Sequence, residues 1–555
     1  MSLKILDRPT VVAGLFGIVT FGLRLAYGAS GPTDWDGTGY IEGALHFDVG
    51  HGAPQPPGYW LYVATGHAID VVTGLGVPGS LVLLAALASA GAAALTVAAG
   101  WELVGKWVGV GAGAVVASCP VAWFDGSTIG TYSFDALVAV ALVLLVRRAR
   151  PGSWHGVAAV VVLGIGTGFR PSMAEAFLLL ACLAVVASTR TWPRLAATVA
   201  AGVGSLALWL VPLSWAQPGG LSTWLRATRT ETSGAYQTGS ILVSGTGGAT
   251  NFGTFAAYAV LTFGPLLLLG LAALVTLAVH RAGRPDGAGP HGDLDALRPW
   301  YQRTGVVLTT AIVPPLAIVN LVEFAKGGYE LAYLPTVAIL LLWPVGGLVR
   351  KLGRRSAVAV TTVAVLVVVA VTGLNTQRFT AGRGIVPIVV QRHLPGLWIS
   401  QARFGAPFVE TAATIRASDA ADGAFRRLAG IVHPDIDVVV LVSYENGLWP
   451  YRNIDWAVPQ VRVALDFPPA ITYQEQGGLL YYDAGAQVRV GPGGYAYFLV
   501  TSEHPEMSAL APEGLASFTG LVIDGFQVWR VSPGAQLFEV TVVAVPGPRP
   551  LGKGI

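Results

Sequence analysis

Long apolar runs separated by short polar connections fill the first two thirds of this chain. They lie at 10–29, 79–100, 105–123, 131–147, 155–170, 172–189, 195–216, 253–279, 304–323, 330–349 and 356–375. Each is close to the ~20 residues that a helix needs to cross the hydrocarbon core of a bilayer. About eleven transmembrane helices are predicted on this basis, the pair flanking Arg170 being the tightest. The pattern changes after residue 375. Short segments such as Val438–Val442, Tyr495–Val500 and Phe526–Arg530 have the composition and length of strands. Pro407–Ala429 is rich in Ala and Arg and reads as a helix. The expected architecture is a polytopic α-helical membrane domain over 1–375 and a small α/β domain over 376–555. The loop 282–297, rich in Gly, Pro and Asp, reads as a flexible connector.

Composition supports this division. Only 12% of the 555 residues are charged, against roughly 25% in soluble domains, and the mean hydropathy is +0.60. Residues 1–375 hold 37 charged residues and residues 376–555 hold 28, in half the length. A soluble globular enzyme is excluded. The net charge of +3 is too small to argue for a nucleic-acid partner. Cys119 and Cys182 both sit in apolar runs, which argues against a disulfide framework or a cysteine zinc site.

The placement of the basic residues sets an expected orientation. With the N-terminus in the cytoplasm, the inner segments carry sixteen Lys and Arg residues, among them Lys106, Arg147, Arg148, Arg350 and Arg354. The outer loops carry Arg226, Arg229 and Lys326, with Arg170 at an edge. This asymmetry follows the positive-inside rule. An odd number of spans then puts the C-terminal part outside, and the expected location is a bacterial cytoplasmic membrane. A cleaved signal peptide over 1–29 is the rival reading. Arg24 within the apolar stretch and the spans that follow argue against it.

Candidate chemistry gathers in the outer segments. Segment 31–78 contains Asp34, Asp36, Glu42 and Asp48 together with His46 and His51, and no Lys or Arg. Pro56 and Pro57 separate two stretches that could each form a short interfacial helix. In the first, Tyr40 falls one turn beyond Asp36 on the same face. Two carboxylates at a helix start suit an oxygen-liganded divalent cation, or a general base beside an electrostatic partner. The alternative is a hydrated loop whose acids cap helices. A second outer loop carries Asp125, and Asp135 follows inside the next apolar run. An intramembrane carboxylate suggests function, although Asp135 lies close enough to a helix end for capping or solvation to account for it. Arg24, Arg170 and Lys326 form a third group near the outer boundary, where positive-inside physics disfavours cations. A lipid phosphate would explain them, since Arg suits bidentate phosphate contact. Snorkelling to the headgroups is the alternative for any one of them.

Together these segments resemble the GT-C glycosyltransferases, in particular bacterial relatives of protein O-mannosyltransferases and aminoarabinose transferases. The resemblance rests mainly on Asp36-Gly37-Thr38-Gly39-Tyr40-Ile41 followed by Pro56-Pro57-Gly58-Tyr59-Trp60-Leu61-Tyr62. Supporting matches are Trp123 to Tyr132, Gly166–Pro171, and Lys326-Gly327-Gly328-Tyr329 with Pro335. The chain departs from the family pattern at Gly39 and Gln55, where an acid and a His are usual, so no role carries over to those positions.

The resemblance implies an inverting transferase on the outer membrane face that uses a polyprenyl-phosphate sugar, with mannosyl and arabinofuranosyl donors as candidates. The acceptor would be a glycan, lipid or protein hydroxyl, in cell-envelope synthesis. Asp36 is then the leading catalytic or metal-ligating carboxylate, Asp34 the second, and Asp125 an alternative partner. Arg170, Lys326 and Arg24 are the candidates for the donor phosphate. Tyr40, Tyr59, Trp60, Tyr132 and Tyr329 are the candidates for substrate contact. Metal dependence stays open between Mg or Mn at Asp34 and Asp36 and no metal at all. A transporter or flippase of lipid-linked sugar is the rival class, and a non-catalytic sugar-binding protein a third. Transporters often carry paired repeats with broken helices. No internal repeat is visible here, and the acids lie in an outer loop.

Overall fold

The structure is a computed structural model. It describes residues 8–240, 242–243, 246–282, 298–321, 326–381, 410–433, 435–442, 462–466, 480–482, 487–501, 526–537 and 540–544. The described residues fall into two compact units, one comprising 1–28 and 56–414, the other 29–55 and 415–555.

The first unit is helical. Its elements are α1 (Pro9–Ala26), α3 (Trp60–Thr73), α4 (Val77–Leu103), α5 (Lys106–Ser118), α6 (Pro120–Ser127), α7 (Tyr132–Arg148), α8 (His155–Phe169), α9 (Met173–Ser188), α10 (Trp192–Ala216), α11 (Gly220–Gly239), α12 (Thr246–Ala282), α13 (Thr304–Leu321), α14 (Leu334–Lys351) and α15 (Arg354–Ala381). In the described residues each of the eleven expected apolar runs is largely helical. Among the described residues six helices, α1, α4, α10, α12, α14 and α15, are long and apolar enough to cross a membrane, or seven spans if α5 and α6, bent by 59°, count as one. The helices over 155–169, 173–188 and 304–319 are apolar but shorter.

Proline opens several of these helices at the first or second position, as in α1, α4, α6, α10 and α14. A missing N–H costs nothing there. The break between α5 and α6 falls at Cys119-Pro120, because Pro disfavours helical geometry in the residue before it. Helix α4 lies at the centre, packed against α1, α5, α6 and α7. Its approach to α5 depends on paired glycines: a Cβ on Gly100 would stand 2.7 Å from Gly109 Cα. Small residues at such crossings let backbones close up where no hydrophobic drive between helices exists.

The second unit contains α2 (Trp35–Leu45) and, from residue 415 on, most of α16 (Ala412–Ala429). Its strands are β1 (Val438–Val442), β2 (Arg462–Asp466), β3 (Leu480–Tyr482), β4 (Gln487–Val490), β5 (Ala496–Thr501), β6 (Phe526–Val531), β7 (Gln536–Leu537) and β8 (Val540–Ala544). One sheet has the order β3-β2-β1-β5-β6, parallel except for β6 at the edge. The other has the order β4-β8-β7. Val438, Val440, Val488, Val490, Phe498 and Val542 from both sheets form one core. The predicted strands at 438–442, 495–500 and 526–530 correspond to β1, β5 and β6.

The division differs from the expected boundary at 375. Helix α15 runs on to Ala381, and Glu410 accepts hydrogen bonds from Tyr258 Oη on α12, which ties that residue to the helical unit. Residues 29–55 cluster with the later part of the chain, where Ser30 N and Oγ both donate to Asp419 Oδ1 at 2.8 Å.

Candidate active site

In the helical unit a polar cluster forms where α7, α8 and the segment before α14 meet. Arg170 ends α8, and its Nε lies 3.0 Å from Asp135 Oδ2 in the first turn of α7. Both side chains are almost wholly buried. Nε also donates to Ser172 Oγ at 3.2 Å, and Nη1 to Thr131 Oγ1 at 3.3 Å. The guanidinium lies 4.0 Å from the Tyr132 ring centroid and 4.9 Å from that of Tyr329. Those two rings meet edge to face at 5.3 Å. Asp135 is therefore a buried ion-pair partner and not a solvated carboxylate. A buried guanidinium so close would be unstable without an anion.

Lys326 lies near the same ring, its Nζ 5.4 Å from the Tyr132 centroid. The segment Gly327–Ala332 is a turn of 3₁₀ helix, and Tyr132 packs where a Gly328 side chain would stand. Gly328 thus lets Tyr132 sit against this turn. Tyr59 holds a left-handed backbone (φ 42°) at the N-cap of α3 and lies within electrostatic range of Arg170. A non-glycine residue in that region is strained and is common at functional sites. Trp60 opens α3 and is half-buried. Asp125 is buried in α6, with Oδ1 3.9 Å from the position of a Cβ on Gly130.

Two carboxylates that the sequence reading did not single out complete the cluster. Glu330 is fully buried, and neither of its carboxylate oxygens has a hydrogen-bond partner among the described residues. Glu410 is pushed up to about 7 by burial, which outweighs the Tyr258 hydroxyl and the Lys326 charge that favour its ionised form. Tyr258 Oη donates to its oxygens at 2.8 and 2.9 Å. Glu330 directly follows Lys326-Gly327-Gly328-Tyr329 in the sequence, but its burial depends on the packing around that turn. Glu410 gave no local signal, since its burial depends on α12.

Arg24 has a different setting. It is fully buried on α1, its Nε donates to Ser89 Oγ at 3.0 Å and its Nη2 to Ala117 O at 2.8 Å. It also lies 5.0 Å from the Trp123 ring. These contacts join α1 to α4, α5 and α6.

In the second unit, Asp34 is the N-cap of α2 and accepts from Gly37 N at 2.8 Å. The capping alternative holds for Asp34. Asp36 lies in the first turn of α2 and is half-buried, and Tyr40 one turn on is 2% exposed. Among the described residues no three of His, Cys, Asp and Glu gather to hold a metal ion.

No family model matches this chain, and neither does any curated protein. Solved structures do. ArnT from Cupriavidus metallidurans bound to undecaprenyl phosphate is similar with a TM-score of 0.51 and 15% identity, over 93% of this chain and 97% of that one. Its apo form gives a TM-score of 0.48 at 14% identity over the same shares. The oligosaccharyltransferase of Archaeoglobus fulgidus in its apo form gives 0.44 at 12% identity, covering 81% of this chain and 64% of that one. At 15% identity the likeness to ArnT is one of fold alone.

Proposed function

We propose that this protein is a membrane glycosyltransferase that moves a sugar from a polyprenyl-phosphate donor to an acceptor hydroxyl on the outer face of the membrane. The observation that carries this reading is the cation and tyrosine cluster of Lys326, Tyr132, Arg170 and Tyr329, in a bundle with the fold of a protein solved with undecaprenyl phosphate bound. In the proposed reaction the acceptor oxygen attacks the anomeric carbon as the bond from that carbon to the phosphate oxygen breaks. The phosphate leaves with the bonding pair, the acceptor proton passes to a carboxylate, and the anomeric centre inverts. Developing negative charge on a leaving group is stabilised by preorganised cations in a water-poor site.

Lys326 is the proposed phosphate contact, because it is half-buried beside the tyrosine rings. Arg170 acts on this reading by fixing Tyr132 and Tyr329. Asp36 is the proposed general base. Asp34 is second to it, and Asp125 is the alternative in the helical unit. An N-terminus inside, eleven crossings and a C-terminal domain outside complete the proposal. They are supported by the eleven largely helical runs and the one-sided basic residues.

The test is incubation of purified protein with a panel of polyprenyl-phosphate sugars and candidate acceptors. Consumption of one donor with formation of a glycosylated product is expected. Lipid movement across vesicles with no donor consumed would point to the transporter class instead.

A further inference from the structure

A second feature of the helical unit lies away from the Lys326 cluster. Between the α4–α5 turn, α5, α14 and α15 opens a groove of about 580 Å³. Its walls are almost entirely apolar, with Ala114 from α5, Leu342 and Val345 from α14, and Val365 and Val368 from α15. Glycines close its base: a Cβ on Gly111 would stand 3.1 Å from Leu342, and one on Gly346 would stand 2.8 Å from Val104. The helices meet at these points and diverge beside them.

One end of the groove is basic. Lys106 and Arg350 both line it. Arg350 donates from Nη1 to Val104 O at 3.0 Å, which holds the guanidinium at the mouth. Lys106 Nζ lies 5.6 Å from the Trp101 ring and 5.9 Å from the Trp107 ring. Lys351, Arg354 and Arg355 are exposed on the adjoining turn. Glu102, the acid nearest in sequence, pairs with Arg148. Trp beside Lys and Arg at helix ends is the composition of the headgroup level. Helix α14, 18 residues long, separates this mouth from the Lys326 turn by about 27 Å at 1.5 Å per residue.

We propose that this groove is a binding site for an anionic glycerophospholipid, with one acyl chain between α5, α14 and α15 and the phosphate at Lys106 and Arg350. An apolar slot ending in two cations at headgroup depth matches both halves of such a molecule. Basic pockets between membrane helices select anionic lipids in this way. The site is independent of the transferase reading.

The test uses the full-length protein in detergent, stripped of copurifying lipid and titrated with phosphatidylglycerol or phosphatidylcholine, with bound lipid counted by native mass spectrometry. One phosphatidylglycerol is expected to bind at least fivefold more tightly than phosphatidylcholine. Lys106→Ala and Arg350→Ala should each weaken it about fivefold, the effect of one cation near a membrane surface. Ala114→Phe fills the slot and should weaken both lipids. If that variant does not fold, Val365→Trp, at an exposed position on the α15 wall, replaces it. Equal binding of the two lipids by the wild type overturns the proposal. So does lipid retention unchanged in all the variants, which would mean a non-specific lipid annulus.

Discussion

Arg170 and Asp135 form an ion pair at 3.0 Å, their side chains only 4% and 6% exposed, between the end of α8 and the start of α7. Removing one partner from a buried pair leaves an uncompensated charge, at a cost of about 3–5 kcal/mol. Asp135→Ala should lower the thermal midpoint in detergent markedly. Asp135→Leu combined with Arg170→Met should recover much of the loss, because neither charge then remains. A double variant no more stable than Asp135→Ala would show that the pair does not act as a unit.

Lys326→Ala should weaken polyprenyl-phosphate binding by about 1.5–3 kcal/mol, the range of a charge-assisted contact, which is roughly ten- to a hundredfold. Lys326→Arg should retain most of it. Direct binding of fluorescent polyprenyl phosphate is the measurement, and unchanged affinity in the alanine variant would remove Lys326 from the phosphate site.

Asp34 and Asp36 should separate in their behaviour. Asp34→Asn keeps an equally good N-cap for α2 and should leave thermal stability unchanged, whereas Asp34→Ala costs about 0.5–2 kcal/mol. Asp36→Asn removes the proposed base and should cost about 10²–10⁴-fold in transfer rate with the fold intact. Chelator-insensitive transfer by the wild type is the outcome expected of a base. Near-normal transfer by Asp36→Asn would shift the assignment to Asp125.

Glu410 gives a prediction in pH. Its folded carboxyl is raised to about 7 from an ordinary 4.5. Between those values the folded state holds a proton that the unfolded chain has lost, so stability falls as pH rises through that window and levels off above it. Glu410→Gln keeps an acceptor for Tyr258 and cannot ionise. It should raise the thermal midpoint at pH 8 and leave it little changed at pH 4.5. Identical shifts at both pH values would contradict a protonated Glu410.

The proposed topology has its own test. A reporter active only outside the cytoplasm should function when fused after Ile555. Activity of a cytoplasm-only reporter at the same place would reverse the orientation.

What the sequence determined by itself was local. Twenty-residue apolar runs form helices because only internal hydrogen bonding satisfies the backbone in lipid, and in the described residues each of the eleven runs largely did so. Short segments of β-branched and aromatic residues gave β1, β5 and β6 for an equally local reason. Helix capping was one of two readings for the acids of segment 31–78, and Asp34 caps α2. The tertiary structure decided which charges meet. Asp135 and Arg170 are 35 positions apart, and only the packing of α7 against α8 makes them partners. Arg24 looked like Arg170 in sequence, yet it is surrounded by Ser89, Ala117 and Trp123. Glu410 became a raised carboxyl because Tyr258, 152 positions earlier, and the buried turn at Gly327 enclose it. Burial and pairing depend on neighbours that no window of consecutive residues contains, so the chemistry of these groups appears only after the helices have packed.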